Sequence, residues 1–180
     1  MIGLEKGIVK LAPYTYEWKQ LFEVEKANLQ TAVSDYVLDI QHVGSTSIPG
    51  MLAKPIIDIA IAVADFEEAR VCIPLIEKLG YEYKGEFGIP HRHYFAKGNP
   101  RTFHIHMCEI SSVEWHNHLL FRDYLCQHQD VADEYAELKQ KLVVKYPQDR
   151  TAYLDGKAPF VQRVLQIAKA GQIIKVWITR

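Results

Sequence analysis

One stretch of the sequence combines residue types that bind phosphate. It reads HVGSTSIPGMLAKPIIDIAIAV and runs from residue 42 to residue 63. Gly44 and Ser45 follow a short apolar segment, and glycine permits the conformations that turn backbone N–H groups and a hydroxyl toward an anion. Ser47 opens a predicted short helix or tight turn whose N-terminus adds a favourable dipole, and Lys54 can reach the same charge. These residues predict a phosphate site.

An aspartate interrupts the most apolar segment of the chain. Residues 56–63 are almost wholly Ile, Ala and Val, which is typical of a strand buried on both faces, yet they include Asp58. A buried, unpaired carboxylate costs free energy. Asp58 therefore requires a metal ion, a basic side chain or an opening to water.

The spacing of these residues resembles that of the nucleotidyltransferase superfamily. Twelve residues separate Ser45 from Asp58. The resemblance implies that the Gly-Ser turn holds nucleotide phosphates and that strand carboxylates hold magnesium. The strand in that superfamily usually carries a second carboxylate two residues after the first, on the same face, whereas this chain has Ala60. One expected metal ligand is therefore missing.

The segment FHIHMCEI, residues 103–110, offers a replacement. With the period-two alternation of a strand, His104 and His106 share one face, and the opposite face is apolar up to Glu109. Two imidazoles and the Asp58 carboxylate form an acceptable metal set if the strands are neighbours. We predict Asp58, His104 and His106 as catalytic and metal-binding residues. The alternative is that the histidines only form hydrogen bonds across the sheet or bind phosphate.

The segment PHRHYFAKG, residues 90–98, places Arg92 and Tyr94 on one strand face. Arg92 can clamp a phosphate or carboxylate through two hydrogen bonds, and Tyr94 can stack or hydrogen-bond beside it. A solvated edge strand with mixed charge explains the same residues. In the helical region that follows, Arg122 and Asp123 are predicted to form an internal ion pair, with a substrate contact from His118 or Arg122 as the alternative. The lysines and tyrosine farther on fit either a basic cleft wall or a solvated helix face: Lys139, Lys141, Lys145, Tyr153 and Lys157.

The order of predicted elements favours an α+β fold. Helices are predicted at 14–33, 65–79, 113–127, 130–146 and 159–170, and strands at 37–43, 56–63, 81–87, 93–97 and 102–110. This order predicts a mixed or antiparallel sheet flanked by helices, with a mainly helical part at about 112–170. Residues 1–180 are interpreted as a single domain.

Composition excludes several classes of protein. The chain has 21 Lys and Arg against 22 Asp and Glu, and this balance gives no electrostatic case for nucleic-acid or membrane binding. No apolar run approaches the length of a membrane helix. Three cysteines without CxxC spacing fit reduced thiols in a cytoplasmic protein better than disulfides or a structural zinc site.

Taken together, several blocks resemble the GrpB family, whose members share the nucleotidyltransferase fold. These blocks are HVGSTSIPGMLAKPIIDI, the segment 92–97, FHIHM, WHNHLLFRDYL and YAELK. The resemblance spans about residues 9–168. Small departures occur at Ile48, where valine is commoner in the family, and at Cys126, where arginine usually stands. The family domain is similar to one fused to dephospho-CoA kinase in some bacteria, which implies a link to nucleotides or coenzyme A.

Three functions fit these residues. The first is metal-dependent nucleotidyl transfer, with Mg²⁺ or Mn²⁺ preferred over Zn²⁺ and a nucleoside triphosphate at Gly44 and Ser45. The second is a catalytically inactive module that binds a nucleotide, coenzyme A or another phosphorylated small molecule, which Ala60 favours. The third is hydrolysis at a metal site formed by Asp58, His104 and His106. The acceptor, the nucleotide and the oligomeric state stay open.

Overall fold

The described part of the chain contains five strands and five α-helices. A computed structural model describes residues 2–178, with side chains up to residue 171. The strands are β1 Asp39–Val43, β2 Ile57–Val63, β3 Tyr81–Tyr83, β4 Arg92–Lys97 and β5 Phe103–Glu109. The helices are α1 Glu17–Val33, α2 Cys72–Glu77, α3 Val113–Gln127, α4 Gln129–Lys145 and α5 Arg150–Ile178. Within the residues described, no helix combines the length and apolar character that crossing a membrane requires.

The strands form one mixed sheet in the order β1-β2-β5-β4-β3. The central pair, β2 and β5, is parallel, and the other neighbours pair antiparallel. Helices α3, α4 and α5 follow the last strand and make up the C-terminal part. The predicted α+β architecture, with a mixed sheet and a helical C-terminal half, is confirmed.

The two faces of the sheet have different roles. On one face, alternate residues of β2 and β5 join the side chains of α1 and α2 in the main hydrophobic core, which includes Ile59, Ile105 and Trp18. On the opposite face, β2 carries Asp58 and β5 carries His104, aligned as direct partners in the parallel ladder. The period of two therefore buries one set of side chains and presents the other to the C-terminal helices.

Helix α3 has a local N-terminal cap and two contacts that hold it over the second face. Ser112 caps its N-terminus by accepting a hydrogen bond from the Trp115 backbone N–H at 3.2 Å. Trp115 packs into a buried cluster on the sheet. Arg122 donates hydrogen bonds to Gln41 Oε1 and to the His42 carbonyl in β1, at 3.0 and 2.9 Å. Arg122 also pairs with Asp123 at 2.7 Å, but the Asp123 side chain is 50% exposed, so the pair is not internal as predicted. The contacts of Arg122 to β1 attach the helix to the sheet.

Three predicted boundaries differ from the structure. The helix predicted at 65–79 is a 3-10 turn, Glu68–Val71, followed by the short α2. The strand predicted from residue 81 ends at Tyr83, because the chain turns through Gly85 and Phe87 with positive φ angles of 66° and 48°. The last helix begins at Arg150 and contains Pro159. Asp149 accepts a hydrogen bond from the Ala152 N–H at 3.0 Å and so starts this helix upstream of the proline.

Candidate anion-binding and active site

Strand register places the predicted site residues on one face of the sheet. Asp58 of β2 pairs with His104 of β5, and Tyr94 of β4 pairs with His106 on the other side of β5. Arg92 lies two residues before Tyr94 and so shares its face. These five side chains line one cavity of about 640 Å³. Three separate strands therefore build its floor.

Asp58 is held by both predicted histidines. Its Oδ1 atom lies 3.2 Å from His104 Nδ1 and 3.5 Å from His106 Nε2. Burial alone raises the pKa of the Asp58 carboxyl, but the hydrogen bonds and charges of the two histidines outweigh that effect and hold its pKa well below the usual value. The side chain remains 31% exposed. Asp58 is therefore an ionised carboxylate that faces the open cavity.

The neighbours of His106 determine its tautomer. Arg92 Nη1 lies 3.2 Å from His106 Nδ1, and guanidinium groups only donate hydrogen bonds. Nδ1 must therefore be the accepting nitrogen, which leaves Nε2–H to donate to Asp58. Burial lowers the pKa of His106 to about 4, so the ring is neutral at pH 7. Arg92 is itself fixed by hydrogen bonds from Nη2 to the carbonyls of Glu86 and Phe87, at 3.2 and 3.0 Å.

The Gly-Ser turn forms one wall of the cavity. Gly44 has a φ of 70°, in the left-handed region that favours glycine, and the 3-10 turn Ser45–Ser47 follows it. The Ser45 hydroxyl accepts a hydrogen bond from Lys139 Nζ at 3.2 Å. The Ser47 hydroxyl instead donates to the Gly44 carbonyl at 2.6 Å, which closes the turn. Gly44 and Ser45 line the cavity, and Ser47 does not.

Basic side chains from four separate regions converge on the same cavity. Within the described chain, its walls carry five basic residues and two carboxylates, Asp58 and Glu114. The five basic residues are Lys54, Arg92, Lys139, Arg150 and Lys157. Lys139 comes from α4, and Arg150 and Lys157 come from α5. Of the C-terminal lysines considered for a cleft wall, Lys139 and Lys157 lie there, whereas Lys141 is 76% exposed on the outer surface.

Burial, with a smaller contribution from neighbouring cations, lowers the pKa values of three of these lysines. Burial, followed by repulsion from Lys157, lowers the pKa of Lys54 to about 8 and that of Lys139 to about 7. Burial likewise lowers the pKa of Lys157 to about 8; Asp58 opposes that shift and Arg150 adds to it. An anion in the cavity would favour the charged form of all three. A bound anion would therefore raise their pKa values.

Ala60 lies outside the cavity. It is fully buried in a cluster with Val43, Ala62, Cys108 and Trp115. Helix α3 thus covers the position at which the second strand carboxylate of a nucleotidyltransferase would stand. A carboxylate at residue 60 would be buried against Trp115 instead of facing a ligand.

The predicted metal set is only partly brought together. Two ligands of one ion, each about 2.1 Å from it, can be no more than about 4.2 Å apart. Asp58 lies within this limit of each histidine separately. Among the residues described, one group of three potential ligands has all its ligand atoms within 4.8 Å of one another. That group is His106, Glu114 and His118, and it shares only His106 with the predicted set.

Sequence reasoning missed Glu114 and Arg150 as cavity residues. Glu114 had a detectable signal, because it lies four residues before His118 on a predicted helix and such pairs share one helix face. Arg150 lies outside the range predicted as the last helix. It lies in the first turn of α5, which begins at residue 150.

Comparison with models of known protein families identifies one family over most of the chain. The profile of the family described as GrpB protein matches residues 8–167. The chain belongs to the GrpB protein family. The crystal structure of conserved protein GrpB from Enterococcus faecalis has a TM-score of 0.84 and 33% identity, covering 93% of this chain and 99% of that one. The predicted resemblance to the GrpB family is confirmed.

Two further similarities are more limited in coverage or in strength. The UPF0157 protein YqkA of Bacillus subtilis is 41% identical over 165 residues, which are 91% of this chain and 48% of that protein. The chain therefore spans about half the length of this relative. A structure of the Cid1 poly(U) polymerase bound to MgATP has a TM-score of 0.48 and 14% identity, covering 71% of this chain and 45% of that one.

Proposed function

We propose that the cavity binds a nucleotide through its polyphosphate group. The observation that carries this proposal is the convergence of Lys54, Lys139 and Lys157 on one cavity, where burial and repulsion from neighbouring cations lower their pKa values to about 7–8. A polyanion removes that repulsion, because it is attracted to each ammonium group. No acidic side chain of the cavity wall contacts these lysines closely enough to form an ion pair in the described structure.

The cavity also suits the rest of a nucleotide. Its volume of about 640 Å³ lies within the usual range for small-molecule sites. The Gly44-Ser45 turn lies near Lys139 and opens onto the cavity, so it can accept phosphate oxygens beside the ammonium group. Phe121 and Tyr135 line the same space and offer apolar surface for a base. Arg92 adds a guanidinium group suited to phosphate recognition.

A second candidate is nucleotidyl transfer assisted by one Mg²⁺ or Mn²⁺ ion. It is favoured by the ionised, partly exposed Asp58 on the cavity floor. The residues do not fit the two-ion arrangement, because Asp58 is the single carboxylate of β2 and Ala60 is covered by Trp115. In a one-ion arrangement, Asp58 and the bound phosphates would hold the metal, which would offset phosphate charge. Lys54, Lys139 and Lys157 would then position the polyphosphate.

Isothermal titration with a graded set of ligands tests the first candidate. We expect ATP, coenzyme A or inorganic triphosphate to bind, and adenosine not to bind, because the phosphates provide the charge. Lys157→Met should weaken triphosphate binding by about tenfold or more, since a charge-assisted hydrogen bond contributes about 1.5–3 kcal/mol. Lys141→Met is the matched control on the outer surface and should bind as the wild type does. Equal effects of the two substitutions would refute the proposal.

The effect of Mn²⁺ on ATP binding separates the two candidate functions. Under the second, Mn²⁺ strengthens ATP binding to the wild type, and Asp58→Asn abolishes that gain. Under the first alone, ATP binds equally well with and without Mn²⁺. If release of pyrophosphate from ATP is detected with an acceptor present, and is lost in Asp58→Asn, the chain catalyses transfer and does not only bind.

A further inference from the structure

Helix α3 places two side chains of types that can bind a metal, Glu114 and His118, over His106. Glu114 and His118 are four residues apart and lie on the same face of α3, and His118 Nε2 is 3.1 Å from Glu114 Oε1. The rings of His118 and His106 are 4.8 Å apart between centroids. The ligand atoms of all three residues lie within 4.8 Å of one another. All three residues also line the cavity described above.

We propose that His106, Glu114 and His118 form a binding site for a first-row transition metal ion, with zinc as the preferred occupant. Two imidazoles and one carboxylate are a donor set that zinc accepts, and this set leaves a coordination position open. The open position would face the cavity. This site is distinct from the Asp58, His104 and His106 set, because it replaces the carboxylate of β2 with one from α3. It does not depend on nucleotide binding.

The hydrogen bonds of His106 assign its ligating atom. Nε2–H points to Asp58 Oδ1, at 3.5 Å, so the lone pair that could bind a metal is the one on Nδ1. A carboxylate that accepts the second ring N–H of a histidine is the usual outer partner of a metal ligand, because it fixes the tautomer and the ring orientation. Asp58 would then be a positioning residue for this metal site, acting through His106.

A cationic group already lies between two of the proposed ligands. Arg92 Nη1 is 3.2 Å from His106 Nδ1 and 4.0 Å from Glu114 Oε1. The guanidinium therefore competes with a metal ion for the same lone pairs, and it must move aside when the ion binds. Removal of its charge should favour the metal, whereas it should weaken binding of a phosphate in the same cavity.

The anchoring of α3 fixes the backbone positions of Glu114 and His118 in advance. Trp115 is buried against the sheet, and the Ser112 cap sets the start of the helix one turn before His116. Glu114 and His118 are half-buried and project from this anchored segment toward β5. The backbone positions of the ligands therefore need little rearrangement, and side-chain rotations complete the site.

The test measures binding of Zn²⁺ alone to the untagged full chain after dialysis against a chelator. Competition with a chromogenic chelator gives the affinity, and Co²⁺ in place of zinc gives visible absorption bands that report the donor geometry. We expect one ion per chain. Glu114→Gln and His118→Asn should each weaken binding by at least tenfold and change the Co²⁺ spectrum, since each removes one ligand.

Three further variants make the test specific. His116→Asn, the matched control on the exposed side of α3, and His104→Asn, which removes the ligand peculiar to the other set, should retain wild-type affinity. Arg92→Met should bind Zn²⁺ at least threefold more tightly and triphosphate more weakly. Thermal unfolding of each variant checks that it is folded.

Three results would overturn the assignment. The first is that the wild type does not bind Zn²⁺ stoichiometrically, and the second is that folded Glu114→Gln and His118→Asn keep wild-type Zn²⁺ affinity. The third is that His104→Asn loses as much Zn²⁺ affinity as Glu114→Gln does. Weaker Zn²⁺ binding by a folded Arg92→Met protein would overturn the placement of the ion at His106 Nδ1. None of these results involves a nucleotide, so failure here leaves the proposed polyphosphate site to its own test.

Discussion

Asp58 lies so close to Gly44 that residue 44 has no room for a side chain. A β-carbon at residue 44 would stand 2.6 Å from Asp58 Oδ2, and the φ of Gly44 is +70°. Two independent constraints therefore select glycine here, one steric and one conformational. The turn that faces the cavity and the carboxylate on its floor are thus held as one unit.

Gly44→Ala should destabilise the protein by more than its backbone conformation alone explains. Gly50→Ala is the matched control, because Gly50 has a φ of +76° and no atom within 4 Å of its β-carbon position. We expect a loss of about 1–2 kcal/mol for Gly50→Ala, from the left-handed conformation. Gly44→Ala should lose clearly more and should also weaken triphosphate binding. Urea denaturation at pH 7 measures the stability of both variants, and equal losses of stability would contradict the steric argument.

A fall in pH should begin to destabilise the protein at pH values well above those at which carboxylates titrate. Burial lowers the pKa values of His42 and His106 to about 4. Because the unfolded state binds protons near pH 6.5 and the folded state does not, stability is fully present above pH 6.5 and falls below it. We expect a loss of about 2–4 kcal/mol between pH 7 and pH 5 by urea denaturation.

A pair of histidine substitutions locates the source of that pH dependence. His106→Gln should reduce the slope of stability against pH between 7 and 5 by roughly a third to a half, because burial also lowers the pKa values of His42 and His93 and those two groups remain. His116→Gln replaces an exposed histidine and should leave the slope unchanged. A slope that is identical in the wild type and in His106→Gln would show that His106 is not buried in its neutral form.

Triphosphate binding should take up protons at pH 8. Lys54 and Lys157 have pKa values of about 8, and Lys139 has one of about 7, so the free cavity is partly uncharged there. A bound polyanion raises these pKa values. We therefore expect uptake of about one proton or more at pH 8, a smaller uptake from the lysines at pH 6, and an affinity that falls from pH 7 to pH 9. Titrations in two buffers of different ionisation enthalpy give the proton number, and an affinity that is flat from pH 7 to pH 9 would rule out these lysines as the anion contacts.

The second carboxylate of the superfamily pattern should not be restorable in this chain. Ala60→Asp would bury a charge against Trp115 and Cys108, away from the cavity. We expect a loss of about 3 kcal/mol or more, or failure to fold, because that carboxylate has no partner there. Ala60→Ser is the milder control and should remain folded. If Ala60→Asp is as stable as the wild type and binds Mg²⁺ more tightly, the position faces the cavity after all.

The pattern of alternate residues predicted much of the candidate site. It placed Asp58 on a buried strand, put His104 and His106 on one face of another, and gave Arg92 and Tyr94 a common face. These predictions succeed because the side-chain period of a strand follows from its backbone geometry. The apolar run at residues 56–63 likewise identified the central strand, since a strand covered on both faces has mostly apolar residues and lacks the alternation of apolar and polar residues.

The sequence could not tell which helices cover the site face. The lysines of α4 and α5 fit a solvated surface as well as a cavity wall, because helical periodicity defines which residues share a side but not what that side contacts. Lys139 reaches Ser45 from 94 positions away, a proximity that no local pattern encodes. The beginning of α5 was also missed, because Pro159 resembles a helix start when Asp149 is overlooked.

What the sequence determined by itself was the family, the α+β architecture and the chemical character of the strand residues, since these depend on short-range spacing. The tertiary structure decided how that character is used. It covered Ala60 with Trp115, gathered three lysines around one cavity and set Glu114 and His118 over His106. The physical reason is that a charge or a ligand acts through distance and desolvation, and long-range packing fixes both.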